Sequence, residues 1–334
     1  MILQTLKSNA PLNYFLYLVI GILFWVQSFL NPNAYLFFDG ENSGILFYPL
    51  YKLTAGLPFL QVFLSLLIVI FVAFLIQQVN SRYTLIRVRT ILPAAIYIII
   101  IGGFTSMHTL HPVLIAAVFT LLGINSLLSI FNNSEPRLDI FNAGLFIALG
   151  TLFYFNLIVL LPAFLIAVSV LRRERNWREF VILVIGFIIP LSFALSYAFF
   201  TDQLTDVFIN FQKTIVTPVN HLKTNYLLQG FLALLVLLTL IGSLKIMQQY
   251  DSRKVSTRKF YLVLFIIFIF SMLSFIFIPA TSQEMLVISV LPVTFLISNL
   301  FVSIESGFWR ELLFTVLLGS VIVMQFADKM IFNG

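Results

Sequence analysis

The chain contains no cysteine. Disulfides, iron–sulfur clusters, thiolate zinc sites and a cysteine nucleophile are therefore excluded. Charge is also scarce, at 10% of 334 residues, where a soluble domain averages about 25%. A water-soluble fold of this size could not cover itself with so few charged side chains. No polar stretch exceeds roughly 25 residues, so no soluble domain fits between the apolar segments, and there is no low-complexity tract or internal repeat. Walker-type and Gly-x-Gly-x-x-Gly phosphate loops are missing, as are Gly-x-Ser-x-Gly and His-Glu-x-x-His. Nucleotide hydrolysis and the common hydrolase schemes lose their usual sequence signals with them.

What remains is apolar. Hydrophobic residues make up 60% of the chain and fall in runs of roughly 18–22, long enough to cross a hydrocarbon core of about 30 Å. Backbone groups in lipid must be paired within their own segment, which makes the spans helices. A β-barrel would alternate apolar and polar residues, and runs such as 260–278 do not. The sequence predicts an all-α, polytopic transmembrane helical bundle, one integral membrane domain over 1–334. Its spans fall at about 12–30, 59–79, 91–106, 110–131, 139–154, 157–171, 179–200, 226–247, 259–278, 284–303 and 309–327, or about eleven transmembrane helices. The break at Tyr154-Phe155-Asn156 reads as a tight turn, because one fused helix of 33 residues is too long for a single crossing. The first span has no small-residue cleavage site after it and reads as a retained anchor rather than a signal peptide.

Placing the N-terminus inside and alternating puts 15 of the 19 basic residues on the inner side, including every arginine. The exceptions are Lys52, Lys213, Lys223 and Lys329. This separation follows the positive-inside rule and predicts an N-in, C-out chain. The formal net charge of +6 is then an orientation signal and an attraction to anionic membrane lipid, and nucleic acid is not an expected partner.

No ionisable residue lies near the middle of a span, where proton- and sodium-coupled transporters usually keep one. Asn125, Asn142, Asn299 and scattered Ser and Thr read as helix–helix hydrogen bonds, and Gly102-Gly103 as a close packing point. Groups able to do chemistry collect at the outer ends. The first long outer loop, 31–58, carries Asp39-Gly40-Glu41 and then a short apolar stretch, 45–53, that suits the membrane interface. The second, 201–225, has Leu204, Val207, Phe208, Phe211 and Ile215 at helical spacing, an interfacial amphipathic pattern. His108, His111 and His221 all map to outer loops. Asp39 and Glu41 with a nearby histidine could hold a divalent cation, or serve as base and electrostatic stabiliser. The same Asp-Gly-Glu is also an ordinary turn sequence, and the histidines also suit helix capping.

The stretch from Asp139 to Arg173 has a short Gly-containing span, a tight break, a second span with Pro162 and a basic inner loop. With Trp177-Arg178-Glu179 opening the next span, residues 1–200 resemble the helical module of GT-C-type glycosyltransferases, which use polyprenyl-phosphate-linked sugars. The resemblance implies an N-in bacterial inner-membrane enzyme with acidic catalytic residues in the first outer loop. Asp39 and Glu41 then take the catalytic and metal roles and His111 assists. Lys52, His108, Lys213, His221 and Lys223 meet the substrate phosphate. Residues 201–225 would form an interfacial outer loop and 226–334 a four-helix membrane part. The departures are the single acidic motif and the absence of an outer arginine. Composition, rich in Phe, Ile and Asn with an Asn-Gly ending, is also similar to inner-membrane proteins of Bacteroidota-type bacteria. Two further readings stay open: a non-catalytic membrane-protein partner or scaffold of an envelope complex, and a transporter or lipid flippase.

Overall fold

A computed structural model describes residues 12–32, 37, 44–172, 176–216, 225–249, 253–278 and 284–332. Among them every regular element is helical. The α-helices are α1 (Leu12–Leu30), α2 (Phe47–Thr54), α3 (Pro58–Tyr83), α4 (Leu92–Gly102), α5 (Pro112–Ser129), α6 (Arg137–Phe153), α7 (Leu160–Leu171), α8 (Trp177–Phe200), α9 (Leu204–Val216), α10 (Tyr226–Gln248), α11 (Val255–Phe277), α12 (Glu284–Ser303) and α13 (Gly307–Phe332). Each expected span is occupied by a helix, and α2 and α9 fall in the two long loops expected on the outer side. Seven helices (α3, α5, α8 and α10 to α13) are long and apolar enough to cross a membrane, which makes this a multi-pass helical membrane protein.

The short spans have a physical explanation. All eleven residues of α4 are buried, and α12 is buried from Glu284 to Phe301. These two helices form the centre, with α1, α3, α5, α10, α11 and α13 packed against them, while α8 packs against α6. A helix enclosed by protein can stop short of the membrane thickness, because neighbouring helices satisfy the irregular backbone that continues it. The chain after α4 does this with a 3-10 turn, Thr105–His108. Peripheral helices face outward with large apolar side chains, such as Phe193 on α8, Leu237 on α10 and Val323 on α13. Gly102 abuts Phe24 of α1 and Gly103 abuts Val321 of α13, the packing role expected of that pair.

Side-chain contacts sort the helix ends. At one end, Asn133 donates to Asp139 at the start of α6 (2.8 Å). Lys259 of α11 donates to the Leu171 carbonyl at the end of α7 (3.2 Å) and lies over the Phe131 ring. Tyr261 reaches the Leu85 carbonyl (2.9 Å), and Arg172 pairs with Glu179 (2.8 Å). The start of α6 and the end of α7 therefore share one end, and the 3-10 turn Phe155–Val159 between them reverses the chain. Asn299 does bridge elements, accepting from Arg253 (3.0 Å). Buried hydroxyls mostly do not: Thr120, Thr151 and Thr239 each bond to the carbonyl four residues back in their own helix.

Candidate functional site

The end of α1, the start of α3 and the end of α4 meet around the turn that carries two histidines. His108 is fully buried and stacks on Trp25 of α1, with centroids 3.9 Å apart. Its Nε2 lies 3.2 Å from the Gly102 carbonyl. A carbonyl only accepts, so Nε2 carries the proton and Nδ1 accepts from the Ser28 hydroxyl at 2.7 Å. Ser65 of α3 closes the network, accepting from the Trp25 indole N–H (3.0 Å) and donating to the His108 carbonyl (2.6 Å). This histidine, expected to meet substrate, has both ring nitrogens engaged inside the protein.

His111 is different. It is also buried, and its Nδ1 accepts from the Val113 amide (3.2 Å), capping α5. In the neutral ring the proton then sits on Nε2. Burial lowers its pKa to about 4, and the nearby Glu284 carboxylate pulls the other way. Phe37 stacks on the His111 ring (5.6 Å, 29°) and packs edge-on against Tyr51 (5.1 Å) and Phe47 (6.0 Å) of α2. Phe37 and α2 are therefore packed onto the bundle through an aromatic cluster. Further anchors are the Leu46 amide, which donates to the Leu152 carbonyl at the end of α6 (3.3 Å), and Gln61, which donates to the Thr54 carbonyl (3.2 Å).

The helix α9 docks on the same region. Phe211 of α9 packs against Phe155 in the reversal after α6 (4.9 Å). The two loop helices thus flank one chain reversal. They bring Lys52, exposed in the last turn of α2, and Lys213, exposed on α9, to the same end of the bundle. Asp39, Glu41, His221 and Lys223 lie outside the described residues. Among the described residues no group of three or more His, Asp or Glu is arranged to hold a metal. Glu284 was not among the expected site residues. Its signal is that it is a lone acid opening a span, and it becomes the buried first residue of the central helix α12, with influence on His111.

No curated protein and no solved structure matches the chain significantly. Residues 44–332 match a family of unknown function, DUF6427, and the chain belongs to that family.

Proposed function

We propose that the chain is an eleven-span, N-in and C-out inner-membrane enzyme that handles a polyprenyl-phosphate-linked sugar at its outer face. The observation that carries this reading is the Phe37–His111 stack. It holds Phe37, two residues before Asp39 in sequence, against a buried imidazole that feels the Glu284 carboxylate. A carboxylate pair working with an imidazole would supply general acid–base transfer. The exposed Lys52 and Lys213 supply cationic partners for a phosphate at the membrane surface. The shared helix ends of α6 and α7 support the eleven-span count, because they require a reversal at 155–159. Two filled central helices leave the bundle axis occupied by side chains, which favours surface chemistry over a transport passage.

The test is transfer from a polyprenyl-phosphate-linked sugar in proteoliposomes. Asp39→Asn should lower the rate by about 100-fold or more, with unchanged yield and gel-filtration elution. Full activity in that variant removes the assignment. A second reading, a non-catalytic subunit of an envelope complex, is favoured by the complete internal engagement of His108. It predicts one stoichiometric membrane partner on gentle purification and no phenotype from changing Asp39, Glu41 or His111.

A further inference from the structure

At the opposite end of the bundle, the segment after α3 folds back over the last turns of that helix. Thr84 takes a left-handed conformation (φ 46°) that turns the chain. The Ile86 amide donates to Asn80 Oδ1 (3.2 Å), and Gln77 Nε2 donates to the Thr90 carbonyl (3.2 Å). These ties border an open pocket of about 310 Å³ lined by Gln77, Asn80, Ser81, Thr84, Arg89 and Thr90, with the exposed Val88 at its rim. The volume is about ten times the roughly 30 Å³ share of a water molecule.

Its chemistry is two-sided. Arg89 and the hydroxyls of Ser81 and Thr84 are donors, and the guanidinium fork suits a phosphate. Gln77 Oε1 is an acceptor, buried without a hydrogen-bond partner, on a side chain that is itself only 9% exposed. A buried amide oxygen is normally paired, so this atom favours a ligand that brings a donor. Depth fits as well. At 26 residues, α3 reaches about 39 Å at 1.5 Å per residue, beyond the roughly 30 Å hydrocarbon core. Its polar tail, Gln77 to Arg82, therefore lies toward headgroup level.

We infer that this cavity binds a phosphate ester that also carries a hydrogen-bond donor, as in an ethanolamine or glycerol phospholipid headgroup. The phosphate meets Arg89, the ammonium or hydroxyl meets Gln77 Oε1, and an acyl chain leaves past Val88. The inference is independent of the outer-end reading. The same chemistry occurs in soluble phosphoethanolamine and glycerol phosphate, so the source needs its own arm.

The experiment is native mass spectrometry of the full chain released from nanodiscs containing phosphatidylethanolamine, phosphatidylglycerol or phosphatidylcholine. Parallel titrations use soluble phosphoethanolamine and glycerol phosphate. Wild type should retain the first two lipids over phosphatidylcholine, whose headgroup has no donor. Arg89→Gln should weaken retention about tenfold, and Gln77→Leu should erase the discrimination against phosphatidylcholine. Arg137→Gln, an exposed arginine at the same end but outside the cavity, should retain lipid like wild type. Binding of the soluble esters with the same Arg89 dependence, and no lipid retention, assigns the cavity to a soluble ligand. Equal retention by wild type and Arg89→Gln, or an equal loss in Arg137→Gln, overturns the inference and leaves diffuse surface attraction. Melting temperature checks that each variant is folded.

Discussion

At the scale of single residues, the outer end depends on a few buried polar atoms. Ser65 holds the Trp25 N–H and the His108 carbonyl together, and all three residues are fully buried. Ser65→Ala orphans both, and an unmet buried donor costs about 1–3 kcal/mol. The melting temperature in mild detergent should fall clearly, whereas Ser192→Ala, at an exposed hydroxyl bonded within its own helix, should leave it unchanged. His111 gives a pH prediction. Its folded pKa of about 4 lies below the usual 6.5. Between those values the unfolded chain binds a proton that the folded chain refuses, so stability falls as pH drops through that window and is level above it. His111→Asn keeps a capping side chain and should flatten the slope of melting temperature between pH 4.5 and 6.5. The sequence located both histidines in one turn but not their burial. Periodicity reports which residues a helix hides, and a seven-residue turn has no period. Burial here follows from the turn packing against α1, α3 and α13, a long-range fact. Glu284 was hidden for the same reason, since its relation to His111 spans about half the chain.

At the scale of elements, helix positions were legible because lipid imposes length and apolarity on every span. The edges moved by only a few residues: 226–247 became Tyr226–Gln248, and 284–303 became Glu284–Ser303. One change of kind is at 91–106, where α4 ends at Gly102 and a 3-10 turn follows. Apolar composition cannot mark that boundary, since it is the same on both sides. Which faces meet was not legible either, with glycines the partial exception. Gly144 of α6 lies against the Leu183 carbonyl of α8, with the Phe187 nitrogen 3.0 Å from where a β-carbon would stand. Gly186 of α8 lies in turn against the Phe141 carbonyl of α6. Backbone meets backbone at both points, so no side chain can yield. Gly144→Ala or Gly186→Ala should push the helices apart and cost about 1–3 kcal/mol, enough to outweigh the gain in helix propensity. Gly230→Ala on α10 meets nothing within 4 Å and should instead stabilise by about 0.5–1 kcal/mol. Thermal unfolding of the three variants, side by side, separates close packing from propensity.

At the scale of the molecule, the decisive quantity is the number of crossings between two points of known side. From Ser134, exposed between α5 and α6, to Gln203, exposed between α8 and α9, the chain passes through α6, α7 and α8. If the reversal at 155–159 separates two crossings, that makes three, and the two residues lie on opposite faces. If 139–171 were a single kinked crossing, it makes two, and they share a face. The cysteine-free sequence makes this a clean measurement, because any introduced thiol is the only one. Ser134→Cys and Gln203→Cys, each alone, can be labelled in intact cells with a membrane-impermeant maleimide. Gln203→Cys should react at once and Ser134→Cys only after permeabilisation. Labelling of both without permeabilisation would remove the eleven-span arrangement, and the reverse pattern would invert it. The result also bears on function. The aromatic cluster at Phe37 and the two loop helices lie at the end of the bundle opposite Lys259 and Arg172. Only if that end faces outward can Lys52 and Lys213 meet a lipid-linked substrate there.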